Sequence, residues 1–513
     1  MTSMTTHDVE IAIVGAGFSG LGAAIKLTQS GVDDYVILDR GRGFGGTWRD
    51  NTYPGAACDV ASNLYSYSFA PNPDWSRTYS HQPEIHRYIN AVADAHGVRD
   101  KARFGTEVTH AAWDEDSRHW LVDTTTDGVD TRYRARHLVG AVGPLCEPNL
   151  PDIDGIESFG GTVMHSARWD DTVDFTGKRV AVIGTGASAI QIVPELAKTA
   201  GRLDVYQRTA PWIVPRTERP YTPLERWAFK NIPLTQTAGR AGIYASNELI
   251  AFGMTYSPAA LKPVQALARA NIFRGIRDGA LRAAVTPDFQ IGCKRILKSN
   301  NWYPTLDRPN VDLVTTGIDH VTPTGIVTRD GIAREIDILV VATGFHVTDS
   351  PVFDSIVGVG GNSLAAVWAE GGMQGYKGGF VHGFPNLMLM VGPSTGLGHT
   401  SMVYMIESQL NYLVDYIATT RRLGATRTEV TADAQQRYNA GIQHKLRNSV
   451  WVNGGCGSWY KDEHGNITTL WPGFTFDFRR ATKTFDADAY DIRTDAPLTA
   501  PVSADAVPAV TGA

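Results

Sequence analysis

A short apolar strand, a glycine-rich turn and a helix recur as a unit twice in this chain, and that repeat restricts the fold more than any other feature. Residues 9–14 form a β-rich run that meets Gly15-Ala16-Gly17-Phe18-Ser19-Gly20, followed by Ala/Leu-rich helical sequence to Gln29 and a second strand, 35–38, ending at Asp39. Strand, GxGxxG, helix, strand and acid in that order make the dinucleotide fingerprint in its required context. Gly15 permits the tight turn, Gly17 lets backbone N–H groups approach a pyrophosphate, and Gly20 lets helix and strand pack closely. Asp39, 19 residues beyond Gly20, is placed to accept hydrogen bonds from ribose hydroxyls. The second copy runs through strand 178–183, Gly184-Thr185-Gly186-Ala187-Ser188-Ala189, a helix 190–198 and a strand 203–207. Ala189 replaces the third glycine, where only a small side chain is needed. Arg208 stands where the first unit has its acid, again 19 residues on, and a guanidinium there suits a 2′-phosphate. The first site therefore reads as holding a dinucleotide with a free ribose, and the second as holding NADP.

The chain has 513 residues, too many for one ordinary core. The expected fold class is α/β, with two Rossmann-like dinucleotide-binding domains, for FAD and NADP, and a helical insertion in the NADP domain. Residues 1–148 and 335–492 are assigned to the FAD-binding domain, and 149–219 and 289–334 to the NADP-binding domain. Residues 220–288, where strand signals fade, are the helical insertion, and 493–513, rich in Ala, Pro, Val and Thr, a disordered tail. A net charge of −6 provides no basic field for nucleic acid. No apolar run approaches the ~18 residues of a membrane span, and residues 1–10 lack the order of a signal peptide, so a cytoplasmic location is expected. Cys58, Cys146, Cys293 and Cys456 are scattered without a CxxC pair and read as free thiols, with no metal site.

Two nucleotide sites of these kinds suggest a flavoprotein reduced by NADPH, with both sites opening onto one cleft for hydride transfer. Gly45-Gly46-Thr47-Trp48 fits backbone drawn close to a flat ring system. A disulfide reductase would need a CxxC or similar pair, which is missing. Reaction with molecular oxygen needs only a sheltered site and positive charge.

One further stretch carries a resemblance. Phe159-Gly160-Gly161-Thr162-Val163-Met164-His165-Ser166-Ala167-Arg168-Trp169-Asp170 matches FxGxxxHxxxW followed by Pro or Asp, and lies between the two glycine motifs. It resembles the fingerprint of the type I Baeyer–Villiger monooxygenases. The likeness extends through 53–59, Gln207-Arg208, Cys293-Lys294-Arg295, 337–345, 383–386 and 392–400, and covers roughly residues 8–490. It implies an NADPH- and O2-dependent conversion of ketones to esters or lactones through a C4a-peroxyflavin. Arg295 then matches the arginine that stabilises the peroxyflavin and the ketone adduct, and Asp59 the carboxylate that orients it. Lys294 and Arg208 match groups holding the 2′-phosphate, and Trp451 a contact to the nicotinamide ribose. Phe159, Gly161, His165, Trp169 and Asp170 form the linker fingerprint, in which His165 serves coupling and domain movement and not proton transfer. The cofactor contacts expected on the FAD side are Gly15, Gly17, Phe18, Ser19, Gly20, Asp39, Arg40, Gly46, Thr47, Trp48, Asp59 and Tyr65. On the NADP side they are Gly184, Thr185, Gly186, Ala187, Ser188, Gln191, Arg208, Lys294 and Trp451. Many members carry Arg where this chain has Ala57. The expected partners are a ketone and O2, with no nucleic acid and no membrane span, in a monomer or weak homo-oligomer. Two alternatives remain: a sulfide- or amine-oxidising flavin monooxygenase, and an uncoupled NADPH oxidase or redox-sensing protein.

Overall fold

The computed structural model describes residues 4–458, 460–462 and 465–494. Its first sheet has eight strands. At its centre Thr5–Val14 runs parallel to both Tyr35–Asp39 and Val129–Gly140, so that Ile13 lies between Ile37 and Val139. Ala102–Phe104 extends the parallel side, and the antiparallel strands His119–Thr126 and Thr106–Asp114 extend the other. Leu387–Leu389 returns from far along the chain to pair with Val129–Gly140. Helix Phe18–Gln29 covers one face with Leu21, Ala24 and Ile25. It lies so near helix Met402–Leu423 that a Cβ at Gly22 would come within 2.7 Å of Leu410.

The second sheet is wholly parallel, in the order Val311–Val314, Arg202–Tyr206, Arg179–Ile183, Ile338–Val341, Thr162–His165. Such sheets are buried on both faces, which explains the unbroken apolar runs Val180–Ile183 and Ile338–Val341. Residues 335–341 are expected to start the returning second part of the first unit, but Ile338–Val341 pairs with Arg179–Ile183 and Thr162–His165 and lies in the second sheet. An apolar strand ending near glycine looks alike in either sheet, and only its pairing decides. Helices Pro223–Asn231, Thr235–Thr255, Lys262–Gly275 and Gly279–Ala284 occupy the stretch between the first and second parts of this unit. The core beneath them also takes in Val450, Leu470, Trp471 and Phe478, so the C-terminal region packs against the second unit.

The cysteine expectation fails for one pair. Cys293 and Cys456, 163 residues apart, form a disulfide, while Cys58 and Cys146 are free. Scattered sequence positions carry no information on spatial distance, and the return of the C-terminal region to the second unit brings these two together. Of the expected tail, residues 493 and 494 end the strand Tyr490–Thr494, and the remainder lies outside the described residues. Among the described residues no helix is long and apolar enough to cross a membrane.

Asn386 fastens the return. Its Nδ2 donates to the Arg136 and Thr426 carbonyls, both at 3.0 Å, and its Oδ1 accepts from the Thr428 N–H at 2.8 Å. It also holds a positive φ of 55°, which Asn tolerates better than most residues. Asn386→Ala strands three backbone groups in a fully buried place, so it should cost about 2–4 kcal/mol. A lowered midpoint of chemical denaturation checks this.

Candidate active site

A cleft of 1980 Å³ opens onto both glycine turns. The two turns are built alike. Gly15 has φ +108° and a Cβ there would lie 2.4 Å from the Ala141 carbonyl oxygen; Gly184 has φ +116° and would meet the Ala342 oxygen at the same 2.4 Å. Each turn is pressed against the end of the strand that closes its sheet, and only glycine fits. A Cβ at Gly20 would stand 1.9 Å from the Gly15 oxygen, so that glycine serves helix–strand packing. Gly17 and Gly186 differ: their Cβ directions are open, with only Gly46 Cα at 3.6 Å near the first and nothing within 4 Å of the second. That open space, at the N-terminus of a helix, fits a pyrophosphate at both turns.

Around the first turn, Asp39 accepts from the Ala16 N–H at 2.6 Å, the Gly41 N–H at 2.7 Å and Arg49 Nη1 at 2.8 Å. The carboxylate therefore braces the turn while facing the cleft. Arg40 turns to Glu147 and the Cys146 carbonyl, tying the strand end to the segment that leaves the first unit. Trp48 Nε1 donates to the Tyr65 hydroxyl at 2.9 Å, and Phe18 meets Tyr65 edge-on at 5.3 Å. With Ser19, Gly46 and Thr47 these aromatic residues line the cleft.

Around the second turn, Thr185, Ala187 and Ser188 line the cleft with Arg208 and Lys294. Lys294 has its pKa lowered by burial and then by the charge of Arg208, as expected of two cations sharing a site. Gln191 faces the other unit: its Nε2 donates to the Ala57 carbonyl at 3.0 Å and its Oε1 accepts from the Ala57 N–H at 3.2 Å.

Between the turns stands one ion pair. Arg295 donates through Nε and Nη2 to both oxygens of Asp59 at 2.7–2.9 Å, and through Nη1 to the Leu397 carbonyl at 3.2 Å. Burial works against the Asp59 charge, but Arg295, Lys298 and Arg216 together hold its pKa below the ordinary value. Asp59 in turn raises that of Arg295. Both groups are charged at neutral pH.

Residues 12–248 match the family described as pyridine nucleotide-disulphide oxidoreductase. A Baeyer–Villiger monooxygenase of Streptomyces coelicolor is 46% identical over 506 residues, spanning 98% of this chain and 96% of its own. The chain belongs to the Baeyer–Villiger monooxygenase family. It is accordingly an FAD-containing, NADPH-dependent flavoprotein oxidoreductase. Cyclohexanone monooxygenase from Rhodococcus sp. Phi1, solved with NADP+, is similar at a TM-score of 0.84 and 30% identity, covering 96% of this chain and 100% of that one. OTEMO in complex with FAD and NADP is similar at 0.84 and 28% identity, covering 94% and 99%.

The fingerprint residues of this Baeyer–Villiger monooxygenase lie off the cleft wall. His165 ends the strand Thr162–His165, accepts from the Ala167 N–H at 3.1 Å and meets Phe345 edge-on. Burial lowers its pKa and favours the neutral ring. Phe159 belongs to the core under the second sheet, Trp169 stacks on Phe175, and Asp170 caps Thr172. A Cβ at Gly161 would lie 2.3 Å from the Asp337 oxygen. Trp451, expected at the nicotinamide ribose, is 3% exposed and packs with Met254 around Gly398, away from the cleft wall. Sequence reasoning missed Arg49, Arg216 and Lys298, since no spacing relates them to Asp39 or Asp59.

Gly17→Val should fold yet purify without flavin, because its side chain enters only the open space over the first turn; the flavin-to-protein absorbance ratio checks it. Arg208→Ala should raise KM for NADPH by about tenfold or more, the worth of one charge-assisted contact, and leave NADH use unchanged. Steady-state kinetics with both nucleotides reads this out.

Proposed function

We propose that Arg295, held by Asp59, is the cation around which this FAD- and NADPH-dependent Baeyer–Villiger monooxygenase oxidises an apolar ketone to an ester or lactone. The observation that carries this reading is the bidentate Arg295–Asp59 pair, standing in one cleft with both glycine turns. Bound FAD, once reduced by NADPH, supplies the activation of O2, from which one oxygen atom enters the bond beside the carbonyl and the other leaves as water.

The chain's part is to bind, orient and stabilise charge. Two anchored edges of the guanidinium keep Arg295 from swinging, so its charge is in place before any negative charge develops on oxygen and no reorganisation is needed. Asp59 orients without cancelling the local field, because Lys298 lines the same cleft and Arg216 donates to the neighbouring Cys58 carbonyl at 2.9 Å. Leu397, Met402, Val403, Ile406 and Leu470 give the cleft an apolar side that suits a ketone with a hydrocarbon body and excludes water from the reacting atoms. On the opposite side, Arg208 and Lys294 are the cations suited to the 2′-phosphate.

Arg295→Ala should still allow NADPH to bleach the flavin under anaerobic conditions. In air it should consume NADPH and release hydrogen peroxide, with ester formation slowed by ~10²–10³, the usual effect of removing one oxyanion stabiliser. Asp59→Ala should give a milder form of the same uncoupling. Ester and peroxide yields per NADPH check both variants, and a normal ester yield from Arg295→Ala defeats the reading.

A further inference from the structure

The outer face of the helical insertion belongs to neither nucleotide site. Its longest helix, Thr235–Thr255, carries only two charged residues, and both turn inward. Arg240 donates to the Asn63 and Ser66 carbonyls at 2.8 and 2.9 Å, and Glu248 accepts from the Thr475 N–H at 3.0 Å and its hydroxyl at 2.6 Å. The outward face is uncharged: beside the hydroxyls of Thr237 and Ser246 it runs through Ala238, Ala241, Gly242, Ala245, Leu249 and Phe252, with Leu249 75% and Phe252 45% exposed. This reverses the arrangement of an ordinary surface helix, which shows its charges to water. Ring contacts carry the apolar surface onward from Phe252 to Tyr256 at 6.0 Å, to Phe474 at 5.6 Å and to Phe476 at 4.9 Å. The preceding helix exposes Trp227 (54%), and the following one exposes Phe273 (64%).

The charge of the segment is also biased. Residues 220–288 hold eight basic residues and four acids, one of them the buried Glu248. The segment is thus net positive, at +4, within a chain whose net charge is −6. Lys230 is paired with Asp74, but Arg226, Lys262 and Arg274 are exposed, and exposed Trp, Phe and Leu beside such cations are the composition of a surface that lies in a lipid interface.

We propose that this face seats on an anionic lipid bilayer, resting in the interface without crossing it. Leu249, Phe252 and Trp227 would enter the boundary between headgroups and acyl chains, while cations such as Arg226, Lys262 and Arg274 meet lipid phosphates. A second copy of the chain is a poor occupant, because a two-fold contact sets the same basic segment against itself. Nucleic acid would answer the charge but offers nothing in which to bury leucine and phenylalanine. The inner side of the same helix braces the cleft: Tyr244 stacks on Tyr404 at 4.9 Å, and Asn247 donates to Thr400 at 3.4 Å, a cleft residue. Resting on the ketone reading above, the bilayer would then stand about one helix diameter, ~10 Å, from the wall of the site. An apolar ketone could reach that site from the lipid in which it dissolves.

The test is co-sedimentation of the holoenzyme with vesicles of phosphatidylcholine, with and without phosphatidylglycerol. It needs no turnover, so its outcome is separate from that of the ketone reading. The protein should sediment with the anionic vesicles at least about tenfold more strongly than with the neutral ones, and added salt should weaken this. The paired variant Leu249→Glu, Phe252→Glu should keep its FAD and lose sedimentation by about tenfold or more. Absence of wild-type binding to anionic vesicles overturns the proposal. So does unchanged binding of the paired variant, which would leave charge alone at work, or a wild-type dimer that the paired variant dissolves while vesicles are ignored. If the paired variant loses FAD, quenching of wild-type fluorescence by brominated phosphatidylglycerol decides instead: a quench reduced by Trp227→Phe supports the proposal, and no quench overturns it.

Discussion

A carboxylate and a guanidinium drawn partly out of water must meet each other, and here they come from opposite units of the protein. Asp59 follows the Pro54-Gly55 turn of the first unit, and Arg295 precedes the short strand Leu297–Lys298, paired with Ile213–Val214 in the second. Their side chains are 26% and 37% exposed. A fully buried pair broken at one partner costs about 3–5 kcal/mol, and water at this cleft lowers the figure. What matters more is position: the pair fixes where the two units meet, and it draws in the Leu397 carbonyl from the returning chain. Three separated parts of the sequence are thereby aligned on one charge.

The parts of this arrangement legible in the sequence are those with a local cause. A turn that needs a positive φ beside a strand end demands glycine, and both Gly15 and Gly184 announce themselves by that demand. The acid of one turn and the base of the other follow at fixed spacing, because the strand length sets it. Arg49 is different. It reaches Asp39 through the fold of a short helix, Thr47–Asp50, and no periodicity relates the two. Cys293 and Cys456 likewise give no sign of pairing, because the contact depends on the C-terminal region returning to the second unit. Trp451 is a different case: an aromatic residue in a glycine-rich stretch looks available in the sequence, and the structure packs it in the core below the insertion.

Whole-chain composition also conceals a local asymmetry. A net charge of −6 argues against a polyanionic partner only if charge is evenly spread. Here the insertion, residues 220–288, carries eight basic residues against four acids, and one of those acids, Glu248, lies under its longest helix, bonded to Thr475. Averages exclude partners for the molecule as a whole, while a partner touches only a patch.

The grip of Gln191 on residue 57 has a bearing on how this position can vary. Both hydrogen bonds end on the backbone amide and carbonyl of Ala57, and neither reaches its side chain. The clasp across the two units therefore draws on no side-chain group of residue 57, which is itself buried. Alanine is enough to hold that joint, so the charge beside Asp59 is set by Arg295, Lys298 and Arg216 while residue 57 serves the mechanical link alone.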